Sequence, residues 1–279
     1  MKPGAFGYRR AESAEDAVRL FLEVGEGAQY LAGGQSLMAT LNFRVSEAGT
    51  LIDLTRIESL KGIEQRGNAI HIGALTTHAS VARSSLVRKR LPLIAEAYVH
   101  VAHPAIRNRG TIGGSIALGD PASEMPACML ALDAVIHANG PAGKRSIPID
   151  DFYLGLYETA LEEGELLTGI EIPLPAEGAR HGFEEIARRH GDYAMAGLAV
   201  MTTGRRARMA YFAISDRALR STAAEDAFVS GASPAECAEV ATREMYVFGD
   251  LNASENMKRH LAGVLMRRVL LSLDGGASA

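Results

Sequence analysis

The sequence predicts a mixed protein of the α+β class, in which two α/β lobes are followed by a third, α+β lobe. Three observations predict this fold class. Helix-like and strand-like segments alternate up to about residue 57, a second mixed series runs to about residue 176, and strands followed by helices then continue to residue 279. The sequence Pro-Leu-Pro at residues 173–175 separates the second series of elements from the third, because proline ends a strand. We therefore expect lobes at residues 1–57, 58–176 and 177–279, in a chain that is long for a single hydrophobic core.

The first lobe is predicted to contain a helix over residues 14–22. Ser13 is a suitable N-cap, and Asp16 stands three residues later, where its carboxylate would complete a capping box. Gly25 is placed to end the helix. The residues before the helix read as polar and helical rather than as a secretion signal. The lobe then continues with a strand over 28–31, a helical turn over 37–41 and a strand over 50–54.

The second lobe is predicted to mix strands and helices. Residues 69–74 alternate as a strand does, and Thr76 or Thr77 would cap the helix that follows. Residues 126–132 are apolar enough for a buried helix or a buried strand, and both interpretations stay open. The other expected elements are a helix over 92–97 and strands over 134–138, 145–149 and 165–173.

The third lobe is predicted to hold its strands first and its helices last. Its final helix would be capped by Asn252 with Glu255, because apolar residues keep helical spacing beyond that point, and Gly275-Gly276 would end it. The elements before it are strands over 193–201 and 209–214 and helices over 223–228 and 235–245.

Composition excludes several classes of function. Apolar residues make up 47% and charged residues 22%, as in ordinary globular proteins, and a net charge of −4 without a basic stripe argues against nucleic-acid binding. Two cysteines, Cys128 and Cys237, are too few to ligate zinc or an iron–sulfur cluster, so we expect any such centre on another chain. The eight histidines are scattered, with His71 an ordinary strand residue. No apolar stretch reaches the length of a membrane span, and a cytoplasmic protein is expected.

Two glycine loops carry the strongest chemical signal. Residues 32–37 read Ala-Gly-Gly-Gln-Ser-Leu, and residues 111–115 read Thr-Ile-Gly-Gly-Ser. Adjacent glycines at the end of an apolar run let the backbone adopt positive φ, so that successive amides point into one concavity and hold an anion. The sequence therefore predicts two such nests closing on a diphosphate. Neither loop has the spacing of a Walker or Rossmann motif.

Charged residues flank the second loop. Arg107 and Arg109 precede it and could reach an anion, although exposed arginines are the commoner case. Asp120 and Glu124 follow it, where they could accept hydrogen bonds from the sugar hydroxyls of a ligand or be solvated acids near a helix start. From the residues alone, the expectation is a dinucleotide-like ligand without visible catalytic machinery.

Six motifs then follow one another in an order that matches a known family. They lie at residues 32–36, 72–78, 107–115, 119–121, 165–168 and 188–194, the last containing Gly-Asp-Tyr. Together they resemble the FAD-binding medium subunit of molybdenum hydroxylases, of the carbon monoxide dehydrogenase and xanthine dehydrogenase type, over essentially the whole chain. The resemblance implies an FAD-binding fold of the vanillyl-alcohol oxidase or PCMH type, made of two α/β subdomains, plus a C-terminal α+β domain of the CO dehydrogenase flavoprotein type.

The same resemblance implies which residues hold the cofactor. Both loops would bind the FAD pyrophosphate, Glu124 would meet the ribityl or ribose hydroxyls, Leu167 would pack near the adenine end and Tyr193 would lie against the isoalloxazine ring. Gln35 stands where the family often has a histidine and Glu185 where a lysine is common, which bears on flavin potential and access. The expected cofactor-binding residues are Ala32, Gly33, Gly34, Gln35, Ser36, Leu37, Thr111, Gly113, Gly114, Ser115, Asp120, Glu124, Leu167 and Tyr193. No catalytic or metal-binding residue is expected on this chain.

The activity implied by the resemblance is electron transfer within a larger complex. In the family, a large subunit hydroxylates its substrate at a molybdenum–pterin centre, and electrons pass through two [2Fe–2S] clusters of a small subunit to FAD and on to an external acceptor. A dimer of heterotrimers would be the usual assembly. Two alternatives stay open: an independent flavoenzyme of the same fold, which would turn over alone, and a non-catalytic nucleotide-binding module, which would bind a diphosphate without a flavin spectrum.

Overall fold

The computed structural model describes residues 2–204 and 206–275. Its N-terminal lobe is a parallel sheet of β1 (Gly7–Arg10), β2 (Ala28–Leu31) and β3 (Thr50–Asp53), in the order β1-β3-β2. The helices α1 (Ala14–Val24) and α2 (Leu37–Asn42) connect these strands. The predicted strands and helices of this lobe are confirmed, whereas the expected helical character before Ser13 is wrong. β1 pairs with β3 there, and its four exposed side chains leave no alternation to detect.

The start of α1 differs in one detail from the prediction. The Ser13 hydroxyl accepts a hydrogen bond from the Asp16 amide at 3.0 Å, as a cap should. The Asp16 carboxylate, however, accepts from the Glu12 amide at 3.0 Å, one residue before the amide of a capping box. Gly25 ends the helix with a φ of 67°, as predicted.

The middle lobe is built on an antiparallel five-stranded sheet. Its strands are β4 (Ile63–Arg66), β5 (Ala69–Gly73), β6 (Val135–Gly140), β7 (Gly143–Pro148) and β10 (Leu166–Pro173), in the order β4-β5-β10-β6-β7, and β8 (Tyr153–Gly155) pairs with β9 (Glu158–Thr159) in a separate hairpin. One face is buried, because Ile72, Ile170 and Ile136 align across β5, β10 and β6 with less than 2% exposure. The alternate residues His71, Glu171 and His137 lie on the other, partly exposed face.

Six helices pack around this sheet. They are α3 (His78–Arg83), α4 (Ser85–Arg90), α5 (Pro92–Ala97), α6 (Pro104–Arg107), α7 (Ile112–Leu118) and α8 (Glu124–Ala131). Thr77 rather than Thr76 caps α3, because the Thr76 side chain exchanges hydrogen bonds with the backbone of Gly62. The helical interpretation of residues 126–132 holds, and α8 is buried along nearly its whole length.

The C-terminal lobe is an antiparallel four-stranded sheet covered by helices. The strands β11 (Arg180–Ala187), β12 (Ala194–Thr203), β13 (Arg206–Phe212) and β14 (Leu219–Arg220) follow in order, and α9 (Thr222–Val229), α10 (Pro234–Glu244) and α11 (Glu255–Gly275) complete the lobe. Strand β11 was not predicted from the sequence. Asn252 does not cap α11; the Ser254 hydroxyl accepts from the Met257 amide at 3.3 Å instead. Gly276 lies outside the described residues.

The middle and C-terminal lobes share a hydrophobic core. Phe183 and Phe212 stack at 5.7 Å and belong to the same buried cluster as helices α5 and α8. Buried Arg208 of β13 donates to the Leu130 carbonyl at 2.9 Å and pairs with Asp150 at 2.7 Å and Asp133 at 2.5 Å. In residues 2–204 and 206–275, no helix is long and apolar enough to cross a membrane. The lobe boundaries at 57 and 176 stay predictions.

Candidate cofactor site

A cavity of about 560 Å³ opens between the N-terminal and middle lobes. Its volume lies in the range of small-molecule and cofactor sites. Gly191, Asp192 and Tyr193, in the segment before β12, also line it, so all three lobes contribute. Every candidate residue named from the sequence lines this one cavity: Ala32, Gly33, Gly34, Gln35, Ser36, Leu37, Thr111, Gly113, Gly114, Ser115, Asp120, Glu124, Leu167 and Tyr193.

The first glycine loop, residues 32–37, has the backbone of a nest. Gly34 has a φ of 69°, which reverses the chain between β2 and α2. In the described part of the chain, the amides of residues 33–37 donate no hydrogen bond, while the Gln35 side chain donates to the Gly33 carbonyl at 3.2 Å. These residues are half-buried or exposed and line the cavity, so their unpaired amides are accessible to an anion there.

The second glycine loop, residues 111–115, is not a nest, and that prediction is wrong. Gly113 and Gly114 lie inside the first turn of α7, and neither has positive φ. The Gly113 amide donates to the Ala74 carbonyl at 2.9 Å, and the Gly114 amide donates to Thr111 Oγ1 at 3.2 Å. This loop therefore offers the cavity its hydroxyls rather than its amides, with Ser115 sharing a hydrogen bond with Ser123 at 3.1 Å.

The two loops touch each other at the floor of the cavity. A Cβ added at Gly33 would lie 2.3 Å from the Arg109 carbonyl oxygen and 2.7 Å from Gly110 Cα. A Cβ at Gly114 would lie 3.6 Å from the Ala32 Cβ. Glycine at position 33 thus lets two backbones approach more closely than any side chain allows.

Acidic side chains line the side of the cavity next to the second loop. The Asp120 carboxylate accepts from the Ala122 amide at 2.9 Å; burial raises its pKa, and the Ala122 amide and the Tyr193 hydroxyl partly offset that rise. Burial also raises the pKa of Glu124, to about 7. Where these carboxyl groups are ionised they would disfavour a phosphate directly beside them, and the unpaired amides of the first loop would favour one.

The arginines before the second loop have other partners. Arg107 Nη1 donates to the carbonyls of Val101 and Ala102 at 2.8 Å and 3.1 Å, and Arg109 is exposed. Arg107 therefore has a structural role and Arg109 lies at the surface, and neither is placed to contact an anion in the cavity. The donors that are left for an anion here are the unpaired backbone amides of residues 33–37.

Sequence reasoning missed several lining residues, of which His78 is the most informative. Its side chain is buried, its Nδ1 lies 3.2 Å from the Tyr98 hydroxyl, and burial together with Arg107 lowers its pKa to about 4. Its amide donates to the Gly110 carbonyl at 2.9 Å, which ties α3 to the second loop. Other missed lining residues include the apolar Val101, Ile106, Leu161 and Leu166 and the polar Gln29, Ser123, Glu165 and Asp192.

The rim of the cavity carries an exposed aromatic ring. Tyr193 is 67% exposed although it follows the Gly191 turn and directly precedes β12. Large exposed aromatic rings at a cavity mouth are typical of contact surfaces. An extended ligand with a phosphate bridge at the first loop and a flat ring near Tyr193 would cover both features. The fold and cavity together define a protein that binds an elongated, phosphate-bearing cofactor between its lobes.

Comparison with known proteins gives the family. Residues 4–175 match the FAD binding domain in molybdopterin dehydrogenase, and residues 181–273 match the CO dehydrogenase flavoprotein C-terminal domain. The chain belongs to this family of FAD-binding medium subunits of molybdenum hydroxylases, and the resemblance inferred from its motifs is confirmed.

Individual relatives match along most of the chain. The carbon monoxide dehydrogenase medium chain of Hydrogenophaga pseudoflava is 36% identical over 279 residues, with 97% of each chain covered. The 6-hydroxypseudooxynicotine dehydrogenase complex subunit alpha of Paenarthrobacter nicotinovorans is 43% identical over 203 residues, which cover 73% of this chain and 69% of the relative. The solved structure of Hydrogenophaga pseudoflava carbon monoxide dehydrogenase superposes with a TM-score of 0.94, at 37% identity and 99% coverage of both chains. The predicted fold class is thereby confirmed.

Proposed function

We propose that this chain is the FAD-carrying electron-transfer subunit of a molybdenum-containing hydroxylase complex. The observation that carries the proposal is the run of unpaired amides at residues 33–37, which face a cavity of about 560 Å³ in a chain of the FAD-binding family. A large subunit would hold the molybdenum–pterin centre, and a small subunit would hold the [2Fe–2S] clusters. The relatives named above as medium chain or complex subunit support this division of labour.

The chain's own residues divide the work of holding the cofactor. The amides of residues 33–37 would bind the diphosphate, and the hydroxyls of Thr111 and Ser115 would donate to its oxygens from the second loop. Asp120 and Glu124 would accept hydrogen bonds from sugar hydroxyls, and burial raises the pKa of both carboxyl groups, that of Glu124 to about 7. These residue roles are proposals.

The apolar parts of the cavity would orient the two ring systems. Leu167, which is 4% exposed, would pack near the adenine end, while Tyr193 would cover one face of the isoalloxazine ring. When bound, FAD supplies a redox centre that accepts electrons from iron–sulfur clusters and passes them to an external acceptor. No general acid or base of this chain is needed for electron entry.

The assignment of clusters to a partner chain follows from the cysteines. Cys128 and Cys237 are both buried and free, and they lie in two different lobes. A [2Fe–2S] cluster needs four protein ligands, usually cysteine thiolates. Two cysteines in different lobes cannot supply that set, so a cluster that delivers electrons to the cavity would belong to another subunit.

The first experiment tests cofactor binding by the chain alone. The purified chain is stripped of ligand and titrated with FAD, with ADP as the comparison, while flavin fluorescence and absorbance are followed. Stoichiometric binding of FAD, with ADP at least tenfold weaker, is expected because both rings of FAD contribute contacts. A chain that binds ADP as tightly as FAD would support the nucleotide-binding module instead.

The second experiment tests the role in electron transfer. The FAD-loaded chain is mixed anaerobically with its co-expressed partner subunits and their substrate, and flavin bleaching is recorded. Bleaching is expected only when the partners are present. Turnover of a small substrate by the isolated chain would favour the independent flavoenzyme. The dimer of heterotrimers and the cytoplasmic location stay predictions, and the substrate and acceptor follow from the partners.

A further inference from the structure

A cluster of two imidazoles and one carboxylate lies on the partly exposed face of the middle sheet. His71 on β5, Glu171 on β10 and His137 on β6 come from three neighbouring strands. Glu171 pairs directly with His71, and on its other side it pairs with Val135, two positions from His137. All three side chains therefore point to the same face of the sheet. They are separate from the residues that line the cofactor cavity.

The donor atoms of the cluster are close together. His71 Nε2 lies 3.2 Å from Glu171 Oε2, and His137 Nε2 lies 3.3 Å from the same oxygen. One potential ligand atom from each residue lies within 4.8 Å of the other two. A tetrahedral ion bound at about 2.0–2.1 Å holds neighbouring donor atoms about 3.3 Å apart. Two of the three donor pairs thus already have the separation found around a metal ion.

The surroundings of the cluster orient one ligand and leave room for solvent. His137 Nδ1 lies 2.9 Å from Ser146 Oγ on β7, so that Nε2 is left facing the carboxylate. Such an outer hydrogen bond is the usual partner of a metal-bound histidine. The side chains of His71, His137 and Glu171 are 19%, 31% and 36% exposed, which allows water to complete the coordination.

The charged side chains of β4 next to His71 pair with each other. The Glu64 carboxylate is itself paired with Arg66, which leaves Glu171 as the acidic group of the cluster.

We propose that His71, His137 and Glu171 form a binding site for a divalent transition-metal ion, with Zn²⁺ as the best match. Imidazole ligands favour Zn²⁺ and similar ions over Mg²⁺ and Ca²⁺, which prefer oxygen ligands only. A bound ion would join β5, β10 and β6 on the face opposite the buried core of the sheet. The expectation of an ordinary strand residue at His71 misses this site, because His137 and Glu171 are 34 residues apart and no short spacing marks them.

The test is a titration of the intact chain with Zn²⁺ after removal of metals with a chelator. Calorimetry should give one site per chain with micromolar or tighter affinity, and bound Zn²⁺ should raise the melting temperature by several degrees. His137→Gln and Glu171→Gln should each weaken binding about tenfold or more, because each removes one ligand while keeping a polar side chain of similar size. Mg²⁺ at the same concentration should give no heat.

The matched control is His260→Gln, which removes an exposed histidine of α11 far from this sheet. Its Zn²⁺ affinity should equal that of the unmodified chain. Absence of binding by the unmodified chain, or equal affinity in His137→Gln and His260→Gln, would overturn the proposal. Circular dichroism and FAD binding check that each variant folds. As a readout that needs no variant, a Zn²⁺-soaked crystal should show anomalous density between the three side chains, and density only elsewhere would equally refute the site.

Discussion

The two glycine pairs look alike in the sequence but are used differently in the structure. Gly33-Gly34 lies in an irregular loop with one positive φ and leaves a series of amides unpaired at the cavity. Gly113-Gly114 lies in a helix, with both amides already hydrogen-bonded to Ala74 and Thr111. The first pair lies where backbone donors are left unpaired beside the cavity, whereas the second lets a helix pack closely against its neighbours.

The comparison shows what a glycine pair means at the level of atoms. At Gly34, the absence of a Cβ allows a backbone φ of 69°. At Gly33 and Gly113, it allows neighbouring backbone to approach so closely that an added Cβ would overlap it. Only the first use leaves unpaired amides at the cavity, where we propose that the diphosphate binds. Substitutions that separate conformation, proximity and charge can therefore test which loop binds the diphosphate.

The largest effect is expected from Gly33→Val. Its side chain would overlap the Arg109 carbonyl and push the two loops apart, at a cost of about 3 kcal/mol. That cost corresponds to about a hundredfold loss of FAD affinity, since each 1.4 kcal/mol is about tenfold. Flavin content after purification and a fluorescence titration measure it. Gly4→Val is the control, because nothing lies within 4 Å of a Cβ there. Full flavin content in Gly33→Val would show that the loops do not need this contact.

Gly113→Ala should chiefly destabilise the fold. Its Cβ would lie 2.5 Å from the Ala74 Cβ and 2.6 Å from the Ala74 carbonyl oxygen, so α7 must shift, at about 1–3 kcal/mol. Thermal unfolding without FAD should show a melting temperature several degrees lower.

Gly114→Ala is the matched partner of that variant. Its Cβ meets only Thr111 Oγ1 below 3 Å, at 2.9 Å, and alanine gains about 1 kcal/mol of helix propensity over glycine. Its melting temperature should stay within about 2 °C of the unmodified chain. A larger loss in Gly114→Ala than in Gly113→Ala would contradict the packing role assigned to Gly113.

Gly34→Ala should weaken FAD binding about tenfold, because a non-glycine residue at positive φ costs about 1–2 kcal/mol. Gly25→Ala is a close control, since Gly25 has a φ of 67° against 69° at Gly34 but lies at the end of α1. Gly25→Ala should keep full FAD affinity, because the strain at the end of α1 is the same with and without FAD, whereas Gly34→Ala should lose affinity because its free loop relaxes from positive φ. Equal FAD affinities in the two would remove the first loop from the site.

A further effect concerns pH and the acidic side of the cavity. The pKa of Glu124 rises from 4.5 to about 7 on folding, so between these values the folded state holds a proton that the unfolded state has lost. The stability of the FAD-free chain should therefore fall as pH rises from 4.5 to 7 and then level off. One pKa unit corresponds to about 1.4 kcal/mol, and solvent screening at the open cavity reduces the fall to on the order of 1 kcal/mol. Melting temperatures of the unmodified chain and of Glu124→Gln across this range measure it, and parallel curves would argue against a buried acid.

Local signals explain which elements could be predicted from the sequence. Helix α1 has a cap at Ser13 and a stop at Gly25, and β5 alternates strictly, so both were predictable. Strand β1 carries four exposed side chains and is defined only by pairing with β3, about 40 residues later, which no local pattern reveals. The residue that caps α11 is Ser254 rather than the predicted Asn252. Asn252 belongs to the preceding turn, where its backbone amide donates to Asp250 Oδ1 at 2.7 Å.

The candidate site was predictable for a different reason. Many of its residues lie in or next to two glycine pairs and a Gly-Asp-Tyr segment, which are recognisable by their order in the sequence. All three motifs line the cavity. The conformation of the second pair was not predictable, since Gly-Gly is compatible with a nest and with a helix start. His78 was missed because its burial depends on Tyr98 and on the Gly110 carbonyl, both distant in sequence.

Arg208 has a consequence for how the chain tolerates cleavage. Its guanidinium, on β13, contacts the Leu130 carbonyl and the carboxylates of Asp133 and Asp150 in the middle lobe. Separating the two lobes would leave this buried cation without partners. The proline-rich segment at residues 173–175 resembles a linker between independent domains. The lobes before and after it are nevertheless held together by the contacts of Arg208 and by their shared core. A molecule nicked by a protease just after this segment should therefore migrate as one particle until it is denatured.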